Sequence, residues 1–165
     1  TPWLAVPDRL LRLPKGVPVH LETVVMVRDL PAGEADPMVS LAKRPDKQWL
    51  RLYERKVPVD VLTAVVDGVV VFAQHADTAV GRAAVTTAPD GTRWAGLSAV
   101  RVADGQRRRG HAQTLCSALL AWATKQGATR CYAQVLADNA AAIALYERMG
   151  FTVAHRARYI DARSL

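Results

Sequence analysis

The sequence predicts a one-domain α/β fold, in which helices cover both faces of a twisted mixed sheet of about six or seven strands. The middle of the chain holds short apolar runs separated by turn residues, which is typical of antiparallel strands. After Val102 the apolar residues recur at helical spacing, and strand and helix patterns then alternate to the end. This alternation predicts parallel strands around Val100 and Val135, joined by a helix.

The first third of the chain predicts one strand followed by two short helices. The β-branched residues within 20–27 indicate the strand. Residues 36–53 have helical character, with Pro37 and Pro45 dividing them, because proline disrupts the interior of a helix.

Two strand pairs are predicted next. Asp67 and Gly68 separate the apolar residues 59–66 from residues 69–75, and both tolerate the positive φ of a type I′ turn, so we expect a hairpin. Residues 80–86 and 94–102 form the second pair, across a turn at residues 88–91.

The last third predicts two helices between strands. Helical spacing covers residues 110–126 and ends at Gly127, and a strand follows at residues 130–136. Asp138 or Asn139 can cap a second helix that runs to Met149. Residues 151–155 and 158–160 complete the predicted strands.

Composition indicates a single globular domain, since 50% of the residues are hydrophobic and 22% are charged. We expect a proline-rich extended arm at residues 1–19 and the domain at residues 20–165. No apolar run reaches the roughly 20 residues that a membrane span needs, so no membrane partner and a cytoplasmic location are expected. Because the chain does not begin with Met, we expect it to be the C-terminal part of a longer protein.

Charge and cysteine content say less about the ligand. A net charge of +7 attracts phosphates, carboxylates or nucleic acid without choosing among them. Cys116 and Cys131 lie in apolar patterns, so we expect both to be packing residues and predict no disulfide and no metal site.

The most informative segment joins the strand that ends at Val102 to the next helix. It reads Arg107-Arg108-Arg109-Gly110-His111-Ala112. A helix start has about four backbone N–H groups without partners and a partial positive charge, so it can bind a pyrophosphate. Gly110 and Ala112 are small enough to let phosphates reach these amides. The alternative is a solvated charged turn without a ligand.

A second pattern follows the strand at residues 130–136. It reads Asn139-Ala140-Ala141-Ala142-Ile143-Ala144-Leu145-Tyr146-Glu147-Arg148-Met149-Gly150-Phe151. With both segments, the sequence resembles the GCN5-related N-acetyltransferases. The first segment fits their Arg/Gln-x-x-Gly-x-Gly/Ala signature, and the second fits their Asn…Leu-Tyr-Glu-x-x-Gly-Phe element. The match covers residues 94–151, whereas the first third of the chain agrees only in the coarse order of elements.

This resemblance implies that acetyl-coenzyme A is the cosubstrate. The strand at Val100 and Val102 would pair its backbone with the pantetheine arm, and the amides of residues 107–112 would hold the pyrophosphate. Asn139 would contact the cofactor near its arm. Tyr146 would lie beside the thioester sulfur and protonate the departing thiolate, while a backbone N–H of the strand polarises the acetyl carbonyl.

Two of these residues also have structural interpretations. Tyr146 has helical spacing with Ile143 and Met149, which is typical of a core position, although the motif around it favours the catalytic role. His111 occupies a variable position of the signature, so we expect its side chain to pack or to face solvent.

The general base is not identified by the sequence. Many relatives place a carboxylate on or near the strand that corresponds to residues 94–100, but here that strand has none, and Ser98 could only position a water. His75, Asp77, Asp104 and a chain of waters are the alternatives.

The acceptor is predicted from charge. Arg82, Arg93 and Arg101 suit an acceptor that carries a carboxylate, which favours the amine of a small molecule such as an amino acid. A similarity to N-acetylglutamate synthases, and hence glutamate, is one option that depends only on overall layout. A protein N-terminus and a polyamine stay open, and a homodimer is compatible with the family resemblance.

Two rival functions come from other classes. One is a catalytically weak domain that binds acetyl-coenzyme A as a sensor or serves as an interaction module. The other is a nucleic-acid-binding module that uses residues 106–109 with Arg101 and Lys125. Only Trp94 and Trp122 lie near that basic segment in the sequence, so we expect no nucleic-acid partner.

Overall fold

The computed structural model describes residues 3–7, 19–34, 36–65 and 68–161. These residues form a mixed α/β fold, which confirms the predicted class. The strands are β1 (Trp3–Pro7), β2 (Val19–Asp29), β3 (Val39–Ala42), β4 (Gly68–His75), β5 (Ala79–Thr87), β6 (Arg93–Val102), β7 (Arg130–Leu136) and β8 (Thr152–Asp161). The helices are α1 (Lys47–Tyr53), α2 (Val59–Thr63), α3 (His111–Lys125) and α4 (Ala140–Arg148).

The chain divides into two compact units, one formed by Thr1–Arg28 with Ala133–Leu165 and the other by Asp29–Tyr132. In the first unit, β8 lies between β1 and β2 and is antiparallel to both. The end of β7 lies beside β2, where the Ala137 N–H donates to the Glu22 carbonyl at 3.0 Å. Part of the predicted N-terminal arm is therefore a sheet strand, β1, while residues 8–18 lie outside the described residues.

In the second unit, β3, β4, β5 and β6 form an antiparallel sheet in that order. The start of β7 adjoins the start of β6, since the Thr129 N–H donates to the Arg93 carbonyl at 3.0 Å. Strands that begin together at one end of a sheet run parallel, as predicted for this pair.

Helices cover both faces of β5, because successive side chains of a strand point to opposite faces. On one face α3 packs so closely that a β-carbon at Gly81 would lie 2.7 Å from Leu115 Cδ2. On the other face Val80 packs in a buried cluster with Trp49 of α1 and Leu62 of α2. The prediction of helices on both faces is confirmed for this sheet.

The elements predicted in the second half of the chain are confirmed. Strands β5, β6 and β7 and helices α3 and α4 match their predicted ranges to within one or two residues. The two short strands predicted at residues 151–155 and 158–160 are one strand, β8.

The predicted hairpin at residues 59–75 is wrong in its first strand. Val59–Thr63 is helix α2, which begins after Pro58, has Asp60 in its first turn and buries Leu62. Both edges of β4 are occupied, by β3 and β5, so no edge is left for the expected partner. Val66, the end of the predicted strand, and Asp67 of the predicted turn lie outside the described residues.

The pair of helices predicted at residues 36–53 is half right. Only α1 forms there, with the Asp46 carboxylate accepting from the Trp49 N–H at 2.8 Å as its N-cap. Val39–Ala42 is instead strand β3, because the backbone of this segment pairs with β4. None of the helices in the described part of the chain has the length and apolar character needed to cross a bilayer.

Candidate functional site

A β-bulge interrupts β6, the strand predicted to pair its backbone with the pantetheine arm. Val80 pairs with Arg101 but Arg82 pairs with Ser98, so β6 has one residue more than β5 over this stretch. Ala99 in the bulge has a φ of 56°, in the left-handed region that side chains disfavour by about 1–2 kcal/mol. Because a bulge leaves its extra residue outside the ladder, the sheet does not use all the backbone groups of Ala99 and Val100.

The N-terminus of α3 has no side-chain cap. Gly110 is the N-cap residue with a φ of 79°, and the first turn contains no acidic residue. The first intrahelical bond runs from the Thr114 N–H to the Gly110 carbonyl at 3.0 Å. The amides of His111 and Ala112 precede that bond and lie at the electropositive end of the helix. This is the geometry in which a helix binds a phosphate through its backbone.

Three arginines surround this helix start, and all three are exposed. Arg107 lies 3.3 Å from the Asp104 carboxylate, in a pair whose side chains are 62% and 78% exposed. Such an exposed pair contributes little to stability, so the guanidinium can exchange its partner for a phosphate. A β-carbon at Gly110 would meet nothing within 4 Å. Packing therefore leaves room at Gly110, and its positive φ is what favours glycine there.

His111 packs against His75, with ring centroids 5.4 Å apart. Its ring is half-buried, which agrees with the expectation that it packs or faces solvent. His75 Nδ1 is buried without a hydrogen-bond partner among the described residues.

The remaining predicted site residues belong to the first unit. Asn139 is the N-cap of α4, and its side-chain oxygen accepts from the Ala142 N–H at 3.1 Å. Tyr146 is only 4% exposed, and its ring centroid lies 5.2 Å from that of Phe151. Both residues thus have a structural role, and the burial of Tyr146 supports its interpretation as a core residue. Their contacts with a cofactor stay predictions.

Asp77 and Asp104, two of the predicted candidates for general base, and Ser98, which was expected only to position a water, are engaged with other residues or exposed. The Ser98 hydroxyl accepts from Arg82 Nη1 at 3.3 Å, and Asp104 pairs with Arg107. Asp77 is exposed in the turn after β4.

Glu54 is a carboxylate beside β6 that the sequence did not reveal. It follows α1 in the left-handed conformation, and its Oε2 lies 2.5 Å from Arg101 Nη2. No local pattern relates residues so far apart in the sequence, so only the folded chain shows that a carboxylate reaches this strand.

The three arginines predicted to suit the carboxylate of an acceptor are engaged with the chain itself. Arg101 pairs with Glu54. Arg93 donates from Nε and Nη2 to the Gln126 carbonyl at the end of α3. Arg82 donates to two carbonyls at the end of α2. Each of the three side chains is therefore bonded to a different segment of the chain, and their suitability for an acceptor carboxylate stays a prediction. No cluster of three or more His, Cys, Asp or Glu residues suited to a metal occurs in the described ranges.

Comparison with known proteins identifies the family. The family described as "Probable histone acetyltransferase Rv0428c C-terminal" matches residues 1–160. The chain belongs to this family. It is 48% identical, over 165 residues, to the probable histone acetyltransferase Rv0428c of Mycobacterium tuberculosis, a match that covers 99% of the chain and 54% of that relative. It is also 31% identical over 106 residues to an uncharacterized N-acetyltransferase, YobR, of Bacillus subtilis, covering 64% of the chain and 38% of that relative.

Both relatives are named as acetyltransferases, which agrees with the resemblance to the GCN5-related N-acetyltransferase superfamily. A putative acetyltransferase of that superfamily from Novosphingobium aromaticivorans has the same fold, with a TM-score of 0.66 at 23% identity over 96% of the chain and 71% of that structure. The chain spans about half the length of Rv0428c and less of YobR.

Proposed function

We propose that this chain transfers an acetyl group from acetyl-coenzyme A to a primary amine. The observation that carries this proposal is the order of features along the second unit. A bulged strand at Ala99 is followed, after a short turn, by the uncapped glycine-bearing start of α3. A bulge next to an anion-binding helix end suits a ligand with an acyl arm and a pyrophosphate.

The proposed contacts with the cosubstrate use mostly backbone. Val100 and Val102 pair with the pantetheine amides, and the amides of the Arg107–Ala112 segment hold the pyrophosphate. The guanidinium groups of Arg107, Arg108 and Arg109 add positive charge at that end. Asn139 keeps an NH₂ group for the cofactor arm while its oxygen caps α4.

The thioester supplies the acetyl group, and the chain positions it for attack by an amine. As the C–N bond forms, a backbone N–H of the bulge at Ala99 and Val100 stabilises the charge on the carbonyl oxygen. As the C–S bond breaks, Tyr146 donates a proton to the sulfur. Glu54 or a water accepts the proton that the amine loses.

The proposed acceptor is the amine of a small molecule such as an amino acid. The Mycobacterium tuberculosis relative is named a probable histone acetyltransferase. A net charge of +7 on this chain repels a basic polypeptide tail and attracts an acidic or zwitterionic acceptor.

Calorimetric titration with acetyl-coenzyme A, free coenzyme A and a short DNA duplex tests the proposal without knowledge of the acceptor. We expect micromolar binding of both coenzymes and little DNA binding at physiological salt. Salt-sensitive DNA binding without coenzyme binding would instead mean that the arginines form an electrostatic surface, and the acetyltransferase proposal would fail.

A second candidate is a cofactor-binding domain without turnover. It is favoured by the burial of Tyr146 and by the absence of a carboxylate from the sequence of β6. An acetyl-transfer assay over a broad panel of amines separates the two functions. Tight coenzyme binding with no transfer to any amine would identify a sensor.

A further inference from the structure

Arg82 has an unusual environment on the sheet face that α1 and α2 cover. Its Nε donates to the Leu62 carbonyl at 2.5 Å and its Nη2 to the Ala64 carbonyl at 3.1 Å. Its Nη1 donates to the Ser98 hydroxyl at 3.3 Å. A guanidinium has five N–H donors, so one on each terminal nitrogen is left over. The bonds from these two nitrogens are exposed, whereas the Nε bond is part-buried. The unused edge of the guanidinium therefore faces solvent.

Arg82 also has no acidic partner in the described part of the chain. The ion pairs there involve Arg101, Arg107 and Arg130. Burial lowers the pKa of Arg82, against the opposing effect of the nearby Tyr132 and Tyr53 phenols. A half-buried cation whose neighbours are carbonyls and hydroxyls is stabilised by an anion, because neutral acceptors compensate only part of its desolvation.

Two polar side chains, those of Tyr132 and Ser98, lie near the Arg82 guanidinium. A β-carbon at Gly96 would lie 2.7 Å from Tyr132 Oη, so the phenol of Tyr132 lies over β6. Gly96 and Ser98 share a face of β6, since side chains two residues apart point the same way. Ser98 is exposed, pairs with Arg82 across the strands and directly precedes the bulge residue Ala99. The guanidinium is thus next to the strand segment where acyl transfer is proposed.

We propose that Arg82 binds a carboxylate of the acceptor through its two unused terminal N–H groups. This inference rests on the proposed function, in which the acceptor is the amine that receives the acetyl group. It adds that the acceptor carries a carboxylate near that amine. A paired N–H geometry matches the two oxygens of a carboxylate. The carboxylate can come from a free amino acid or from an acidic side chain beside a lysine in a peptide.

Arg93 provides a matched control. It too is half-buried and donates to backbone carbonyls at the end of a helix. Its Nη1 donates to the Thr87 hydroxyl at 2.9 Å, and it lies at the start of β6 rather than beside the bulge. Arg93→Gln therefore removes comparable contacts without touching the proposed carboxylate site.

Binding of N-acetyl-L-alanine and of its uncharged amide, measured by calorimetry, tests the site directly. We expect the carboxylate to bind the wild-type chain at least about tenfold more tightly than the amide, a difference of about 1.4 kcal/mol. This preference should fall below about threefold in Arg82→Gln and persist in Arg93→Gln. Arg82→Lys keeps the charge but not the paired geometry, and we expect it to lose most of the preference. Titration of the two probes without coenzyme tests the carboxylate site at Arg82 alone. Titration of the chain with coenzyme A tests the proposed function, so each proposal can fail without the other.

Equal binding of the two probes by the wild-type chain, or a preference that survives in Arg82→Gln, would overturn the inference. Acetyl transfer then identifies the source of the carboxylate. Faster transfer to L-lysine than to cadaverine assigns it to a free amino acid. Faster transfer to a lysine peptide flanked by Glu than to one flanked by Gln assigns it to a peptide side chain. Transfer that shows neither preference contradicts the site.

Discussion

Helices α3 and α4 both follow a strand and both begin within a family motif, yet their N-termini differ. At α4 the side chain of Asn139 accepts from the Ala142 N–H. At α3 Gly110 occupies the same cap position and offers no side-chain acceptor. An N-cap side chain typically stabilises a helix by about 1 kcal/mol. The chain thus satisfies one helix end with its own atoms and leaves the other to be satisfied by water or by an anion.

The two motifs therefore differ in what they contribute to the chain. The first motif leaves backbone amides at its helix start without a side-chain cap, whereas the second builds a capped helix with a buried tyrosine. Substitutions in α3, in α4 and at their N-caps should therefore have different consequences.

Gly110→Glu should weaken coenzyme binding by at least about 100-fold, because it places a negative charge against the pyrophosphate. Calorimetry measures the affinity. Gly105→Glu is the matched control, since Gly105 has a φ of 80° in the same loop and equally open surroundings. We expect this control to bind coenzyme nearly normally. Unchanged affinity in Gly110→Glu would remove α3 from the cofactor site.

Tyr146→Phe should lower kcat by about 100-fold or more, as expected for loss of an acid catalyst, and leave coenzyme affinity unchanged. Steady-state kinetics with a responsive amine measures both quantities. The substitution keeps the ring that packs on Phe151, so the fold should persist. A normal rate would mean that Tyr146 is a core residue.

Asn139→Ala should lower the free energy of unfolding by about 1 kcal/mol, through loss of the cap on α4. Asn139→Ser keeps a capping oxygen and should stay close to wild-type stability. If the NH₂ group of Asn139 contacts the cofactor, both variants bind coenzyme less tightly. Urea denaturation together with calorimetry separates the two roles, and normal affinity in both variants limits Asn139 to capping.

Gln113→Glu should have the smallest effect. We expect it to raise thermal stability and to lower coenzyme affinity. An acidic residue in the first turn of α3 stabilises the helix end by about 0.3–1 kcal/mol. The same charge repels phosphates, so coenzyme affinity should fall while thermal stability rises. Parallel changes in both quantities would contradict an anion site at this helix end.

The second half of the fold was predictable because its signals are local. Gly127 and Gly150 lie at the ends of α3 and α4, and Asn139 is the cap of α4, so sequence spacing alone placed these elements. The errors fall where an apolar run is short. Residues 59–63 became a helix, and Val39–Ala42 became a strand because β4 pairs with it. Pairing between distant segments decided those cases, and no local pattern encodes it.

The candidate site divides in the same way. The glycine and arginines of the α3 start were visible as a motif. The bulge was not, because alanine at position 99 gives no sign of a left-handed φ. The contacts of Arg82 with α2 and of Arg101 with Glu54 join residues far apart in the sequence, so no local pattern could predict them.

Gly81 of β5 lies opposite the β6 bulge and against α3. It is the β5 residue between the two register positions that flank the bulge, and a β-carbon there would lie 2.7 Å from Leu115 Cδ2 of α3. The absence of one β-carbon therefore sets the spacing between the helix that would hold the phosphates and the strand that would hold the acyl group. A larger residue at position 81 would displace Leu115 and alter that spacing. Under the proposed function, a substitution at position 81 that touches no ligand atom would slow acetyl transfer by shifting the proposed phosphate-binding helix relative to the proposed acyl-binding strand.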